Sequence, residues 1–342
     1  MAQIFICGDT GQAPLLERVS RELSALGHAV VRGPMDEPGT VRQYSKAECA
    51  EFIHNADIAV FTARHQCSRN MLTGASRLRG ICYPVIGVET LDLEAANELG
   101  IIVGHGAVRE NVVGMAEANL MLMLMLLYRV ESNIGLMRDG KWRRPMPIAH
   151  QMEGRTIGII GFGRIASALA ERLQPMGVKI LTYSPRSTQD KLPQHVRKVC
   201  LSELLRNSDI VTVLTGLTPE THHMLGEAEF SIMRPHAFIV NTGRGAVCDE
   251  EALYTALGKG TIAGAALDTF TIEPLPASSG LRSLQNVILT PHAVGHTLES
   301  AEAFGPAMLE NISRILRGDL PLYCKNPQID TAWRLRLQRI SA

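Results

Sequence analysis

Short apolar runs alternate with stretches of helical periodicity along most of the chain. Residues 4–7, 29–31, 57–61, 81–86 and 101–103 read as strands, with helices predicted between them over 14–26 and 91–99. Strands that alternate with helices imply βαβ units and a parallel sheet. The first hundred residues therefore predict one flavodoxin-like sheet. A second series begins at Thr156, with strands predicted at 156–160, 179–183, 210–214, 238–241, 263–267 and 287–289. Six strands with helices between them are the content of a full doubly wound, dinucleotide-binding domain. The fold class is α/β, with two doubly wound parallel-sheet domains.

Between the two series lies a Met- and Leu-rich helix predicted over 114–130. It is apolar on more than one face, so it must be buried on more than one side, in a core or a subunit interface. The segment Gly140-Lys141-Trp142-Arg143-Arg144-Pro145-Met146-Pro147 reads as an extended arm. A further helix is predicted over 298–316, ended at Gly318, while residues 325–342 carry no clear element beyond a basic turn.

A length of 342 residues is enough for two domains. The charge balance of 34 basic against 34 acidic side chains argues against nucleic acid or an anionic membrane as the main partner. The seven cysteines form no CxxC pair, so free thiols in a reducing compartment are expected, with no disulfide framework and no metal site. The N-terminus has no secretory pattern. The longest apolar run, 120–128, is too short to span a bilayer. A cytoplasmic protein without membrane association is the expectation.

Gly161-Phe162-Gly163-Arg164-Ile165-Ala166 follows the apolar run 156–160 and opens a helical pattern. That is the context in which a GxGxxA turn binds a dinucleotide. Gly161 permits the tight turn, Gly163 lets the backbone approach the pyrophosphate, and Ala166 keeps helix and strand close. An acidic residue about 20 positions past the glycines would accept from the ribose 2′-OH of NAD. Here Ser184 stands 21 residues after Gly163 (184 − 163), followed by Arg186, Ser187 and Thr188. Arg offers a bidentate fork to a phosphate, so NADP(H) is expected over NAD.

Reducing a carbonyl beside a carboxylate requires an anchor for the carboxylate, polarisation of the carbonyl and a proton for the developing alkoxide. Arg suits the first, and His with a carboxylate partner suits the last. Arg244, Glu273 and His292 offer these groups, each just after a predicted strand, at the end where α/β sheets bind ligands.

Several long motifs agree in order and spacing with the D-isomer-specific 2-hydroxyacid dehydrogenases, which the chain resembles over residues 80 to 320. They are the segment from Ser208-Asp209 through Thr218-Pro219-Glu220-Thr221, then Asn241-Thr242-Gly243-Arg244-Gly245, then Asp268-Thr269-Phe270-Thr271-Ile272-Glu273-Pro274-Leu275, and finally Thr290-Pro291-His292-Ala293-Val294-Gly295. The resemblance implies that Arg244 binds the substrate carboxylate and carbonyl, that His292 is the acid/base and that Glu273 is its partner. It implies that Asp268 sits near the nicotinamide carboxamide. Leu214, Thr215 and the residues to Leu217, with Thr221, Thr242 and Gly295, would line the cofactor. Backbone N–H groups of Ile86 and Gly87, in the loop Val85-Ile86-Gly87-Val88-Glu89, would receive the substrate carboxylate. The resemblance further implies a discontinuous substrate domain (1–110 and 297–342) around a dinucleotide-binding domain (111–296), a cleft that closes on a small 2-keto acid such as glyoxylate or hydroxypyruvate, and a homodimer packed through 114–130. Ser184 departs from the common pattern and bears on the choice of cofactor, with NAD as the alternative to NADP.

The remaining polar residues read more plainly. His54, His65 and His195 are expected at the surface, and His222 and His223 near the adenosine or exposed. Tyr83, His105 and Arg109 are placed either at the substrate or in hinge packing. Cys248 has nothing beside it to activate a thiolate. Two other readings are a formate dehydrogenase, against which Glu273 argues, and a non-catalytic, nucleotide-sensing scaffold of the corepressor kind.

Overall fold

The computed structural model describes residues 1–37, 41–62, 65–142 and 148–341. It divides into two compact units, Met1–Asn111 with Thr297–Ala342, and Val112–His296. The first unit holds five parallel strands, β1 (Gln3–Asp9), β2 (Ala29–Asp36), β3 (Ile58–Val60), β4 (Gly80–Cys82) and β5 (Ile102–Gly104), in the order β2-β1-β3-β4-β5. Residues on alternate sides of each strand feed two separate cores. Phe5, Ala59, Phe61 and Ile81 pack on one face, and Ile4, Ile6, Ile58 and Val60 on the other. That double burial is why these strands read as unbroken apolar runs. β4 ends at Cys82, short of the predicted 86, because the chain bends at residues 84–86.

The C-terminal stretch, predicted to lack an element, is the helix Asp330–Ser341. Its apolar content is low, and one large residue anchors it. Trp333 is fully buried and its Nε1–H donates to the Arg79 carbonyl at 2.8 Å. The Arg336 guanidinium lies over the carbonyls of Ala75, Leu78 and Leu99 and donates to all three. Its burial lowers its pKa from the ordinary arginine value. The histidines expected at the surface also need correcting. His54 and His195 are half-buried, and His65 is wholly buried, with Nδ1 against Thr62 Oγ1 at 2.9 Å and Nε2 against Asp36 Oδ2 at 3.2 Å. Polar partners from β2 and the end of β3 allow an imidazole inside, and desolvation pushes its pKa down.

The second unit has seven parallel strands where six were predicted. They are β6 (Thr156–Ile160), β7 (Lys179–Tyr183), β8 (Val196–Lys198), β9 (Ile210–Val213), β10 (Phe238–Asn241), β11 (Gly264–Leu267) and β12 (Val287–Leu289), in the order β12-β11-β10-β9-β6-β7-β8. The extra strand, β8, is a three-residue edge with a single buried side chain, too short to show a periodicity. The helix predicted over 114–130 is Arg109–Leu127, and a second helix, Val130–Arg138, follows once Arg129 adopts a left-handed φ of 52°. By length and composition Arg109–Leu127 would suffice to cross a membrane, yet half of it is buried within the protein, as in a core helix. It packs Ala116, Leu122, Met123, Leu126 and Leu127 on Ile157, Ile159 and Val240 of the sheet. Of the predicted arm, residues 143–147 lie outside the described residues.

At the amino ends of the second unit's strands, the nearly buried Asp209 gathers the Thr156 N–H at 2.8 Å, Arg234 Nη1 at 2.9 Å and His236 Nε2 at 3.0 Å. Burial alone would raise its pKa. The Thr156 N–H, His236 and Arg234 outweigh that and hold the carboxyl below the usual range. A depressed folded-state pKa contributes stability in full above the unfolded value of about 3.9, which is lost as pH falls through the folded value. We expect Asp209→Asn to melt about 5 °C below wild type at neutral pH. In scanning calorimetry the difference should close below about pH 4, and a difference that persists unchanged into acid would remove Asp209 from this role.

Candidate active site

After β6 the chain builds outward to β7 and β8, then returns to β9 on the other side of β6. The carboxyl ends of β6 and β9 thus flank a point where connections leave in opposite directions, the place where doubly wound sheets bind ligands. Gly161 follows β6 with φ +86°, in the left-handed region. A Cβ there would stand 3.0 Å from Thr215 Cα and 3.1 Å from the Leu214 carbonyl oxygen, so both its conformation and its neighbours require glycine. Gly163 borders open space, and the helix Arg164–Leu173 starts immediately after it with no side chain capping its N–H groups. Ala166, nearly fully buried, seats that helix against Ile157 and Ile159. Phe162 and Ile165 are half-buried beside the turn and Arg164 is exposed. A turn that no side chain can fill, opening onto the uncapped first turn of a helix, fits a diphosphate.

The loop after β7 carries Ser184 and Arg186. Ser184 is buried, with its Oγ 2.9 Å from Ser187 Oγ, and Arg186 is exposed. Two charged groups that sequence spacing did not bring here also meet this loop. Lys198, from the edge strand β8, donates its Nζ to the Ser187 carbonyl. Glu220, in the 218–221 segment, lies within the field of Arg186. The Thr218 side chain first, and the Arg186 charge to a smaller degree, hold its carboxyl below the usual range. Thr221 is occupied locally, its Oγ1 accepting from the Thr218 N–H at 2.7 Å and donating to the Gly216 carbonyl at 2.9 Å.

Three adjacent strands deliver the predicted catalytic groups. β10 leads to Arg244, β11 to Asp268 and Glu273, and β12 to His292. Asn241 shapes the arginine turn by accepting from the Gly243 N–H at 3.1 Å and donating to the Arg244 carbonyl at 3.1 Å. Arg244 is half-buried and its Nη1 donates to the Gly243 carbonyl at 2.7 Å. Gly245 abuts the backbone of Phe270 so closely that any Cβ would overlap it, which joins the arginine loop to the glutamate loop. Glu273 accepts from the Phe270 N–H at 3.0 Å through Oε1, and its Oε2 lies 2.8 Å from His292 Nδ1. A carboxylate only accepts, so Nδ1 carries the hydrogen and Nε2 is the atom left for chemistry.

The Asp268 side chain is engaged with the histidine turn. Its Oδ1 accepts from Thr290 Oγ1 at 2.6 Å, the Ala293 N–H at 3.0 Å and the Val294 N–H at 3.2 Å. His292 sits within that turn at φ +53°. Gly295 lies where the turn meets Met115 of the long helix, whose flexible side chain a Cβ would have to displace.

Asn119 was not singled out from sequence. It is fully buried, and its Nδ2 donates to Thr242 Oγ1 at 2.9 Å while its Oδ1 accepts from Thr212 Oγ1 at 2.9 Å. It ties the long helix to the ends of β9 and β10, and an amide beside the apolar run 120–127 was the available signal. Ile86 and Gly87 are half-buried in the first unit, where His105 Nδ1 meets the Ile86 carbonyl at 3.1 Å. Tyr83 is buried and Arg109 exposed. His222 and His223 are exposed and stacked on each other. Burial pushes the Cys248 thiol up to about 12, which leaves it inert.

Residues 120–294 match the family model described as D-isomer specific 2-hydroxyacid dehydrogenase, NAD binding domain. The chain is 35% identical over 283 residues to a D-3-phosphoglycerate dehydrogenase of Methanocaldococcus jannaschii, a match that covers 81% of this chain and 53% of that protein. It is 34% identical over 292 residues to a glyoxylate reductase of Korarchaeum cryptofilum, covering 83% and 87%. Among solved structures, a glyoxylate reductase from Paecilomyes thermophila superimposes with a TM-score of 0.83 at 26% identity, covering 96% of this chain and 99% of that one.

Alanine at Gly161 would have to hold a left-handed backbone against the Thr215 main chain. Gly161→Ala is expected to weaken nicotinamide dinucleotide binding roughly 10-fold, read by quenching of protein fluorescence. Unchanged affinity would show that the turn does not cradle the diphosphate.

Proposed function

The chain belongs to the D-isomer specific 2-hydroxyacid dehydrogenase family, and on that premise we propose that it is an NADPH-preferring reductase of small 2-keto acids such as glyoxylate and hydroxypyruvate. The observation that carries this reading is the 2.8 Å bond between Glu273 Oε2 and His292 Nδ1. When bound, the nicotinamide supplies the hydride that reaches the substrate carbonyl carbon. His292, protonated on both nitrogens, releases the Nε2 proton to the carbonyl oxygen. Glu273 keeps the Nδ1 hydrogen in place throughout and stabilises the charged ring. Arg244 holds the substrate carboxylate and polarises the carbonyl, and the N–H groups of Ile86 and Gly87 are donors suited to a carboxylate. In the reverse direction His292 accepts the proton of a D-2-hydroxy acid.

The preference for NADPH rests on Ser184 in place of an acid and on Arg186, with Lys198 of β8 as a second cation against the same loop. Glu220 opposes them, and the two cations outnumber it. We further propose a homodimer. Met121 and Tyr128 are exposed, and Leu120, Leu124 and Met125 of Arg109–Leu127 are only half-buried where they pack on the core, an apolar surface suited to a second copy of this chain.

Consumption of NADPH and of NADH across glyoxylate, hydroxypyruvate, pyruvate and phenylpyruvate tests the reading. Turnover that favours NADPH on the smaller acids is expected. Tight cofactor binding with no turnover of any acid would return the protein to the scaffold reading. His292→Ala should lower kcat by about 10²–10⁴-fold with cofactor affinity unchanged, and retained turnover would exclude it as the acid. Arg186→Ala should raise the KM for NADPH roughly 10-fold and leave that for NADH alone. Equal effects on both cofactors would refute the phosphate-binding assignment.

A further inference from the structure

We infer that His105 is a positioning residue that holds the Ile86 carbonyl and thereby aims the Gly87 N–H at the substrate carboxylate. The inference rests on the proposed role of Ile86 and Gly87 and supplies the side chain that sets their geometry.

Beyond their last paired residues, β4 and β5 continue side by side. The Tyr83 N–H donates to the Gly104 carbonyl at 2.9 Å, and the Gly106 N–H to the Val85 carbonyl at 3.0 Å. The next link comes from a side chain, with His105 Nδ1 at 3.1 Å from the Ile86 carbonyl oxygen. A carbonyl only accepts, so Nδ1 carries the hydrogen. The Ile86–Gly87 peptide is trans, as Glu273–Pro274 is the one cis bond among the described residues. In a planar trans peptide the C=O and N–H point in opposite directions. Drawing the Ile86 oxygen toward the ring therefore turns the Gly87 N–H to the opposite side of the loop. Among the described residues no acceptor meets that N–H, although Gly87 is half-buried. A half-buried donor without a protein acceptor is left open to a ligand in exchange for water.

The ring's own position is held from the distant C-terminal part of the unit. The His105 N–H donates to the Tyr323 carbonyl at 3.0 Å, and its carbonyl accepts from Asn311 Nδ2 at 3.2 Å. Asn311 is nearly fully buried and its Oδ1 accepts from the Tyr323 N–H at 3.2 Å. Gly106, next to the ring, comes so near the Pro84 carbonyl that a Cβ would overlap it, so the two segments lie at the closest approach the backbone allows. The direction of the Gly87 N–H is thus set by hydrogen bonds that reach back to the C-terminal part of the unit.

Calorimetric titration with oxamate, a carboxylate beside a carbonyl that accepts no hydride, separates orientation from catalysis. Wild type, His105→Phe and His105→Asn would be compared as NADPH complexes, with glyoxylate kinetics and NADPH affinity in parallel. His105→Phe should weaken oxamate and raise the KM for glyoxylate roughly 10-fold, with kcat and NADPH affinity unchanged. His105→Asn, whose Nδ2–H stands near the place of Nδ1–H, should restore both. Unchanged oxamate affinity in His105→Phe overturns the inference and leaves the carboxylate loop intact. Equal damage to kcat, KM and NADPH affinity, without rescue by Asn, also overturns it, as the mark of a merely structural residue. A wild-type protein that neither binds oxamate nor reduces glyoxylate overturns the loop reading and this inference together.

Discussion

One oxygen atom organises the chemical end of the second unit. Asp268 Oδ1, inside the protein at the tip of β11, accepts three hydrogen bonds from the turn that follows β12. Burying a carboxylate is costly without donors to meet it, and here the donors are the residues that surround His292. The histidine backbone has a positive φ, a conformation that costs a non-glycine residue of order 1 kcal/mol or more. The interactions at Asp268 offset that cost and fix the direction in which the ring leaves the turn. The parallel ladder does the rest. Leu267 pairs with Leu289 and with Asn241, so the segments that bear Arg244, Glu273 and His292 all begin at one level of the sheet.

Strands buried on both faces were the most legible elements, because burial on both sides leaves an unbroken apolar run. Residues 238–241 and 287–289 were predicted at their observed limits. Elements whose stability comes from partners elsewhere were not legible. β8 exists because β7 offers an edge, and only Val196 of its three residues is buried. The C-terminal helix exists because one indole and one guanidinium find acceptors on loops more than 200 residues earlier. His65 read as a surface residue because its charged partner, Asp36 on β2, is brought to it by the sheet.

The site follows the same division. Glycines, Arg244, Glu273 and His292 lie in continuous motifs whose spacing carries their chemistry. Asn119 acts across the core on Thr212 and Thr242, about a hundred residues away, and no local pattern announces its partners. Lys198 and Glu220 reach the loop after β7 from opposite sides of that strand in the sheet, one from β8 and one from beyond β9. The charge around Arg186 is therefore a property of strand order, and a count of positions from the glycine turn misses half of it.

The contact between Gly245 and the Phe270 backbone bears on how this protein can vary. Two loops that touch main chain to main chain leave no side chain between them to absorb a change. An insertion after β10 would push directly on the segment after β11 and displace the carboxylate that steadies the imidazole. The loops bearing Arg244 and Glu273 are in effect one inherited piece, and divergence in substrate choice has to come from residues outside it.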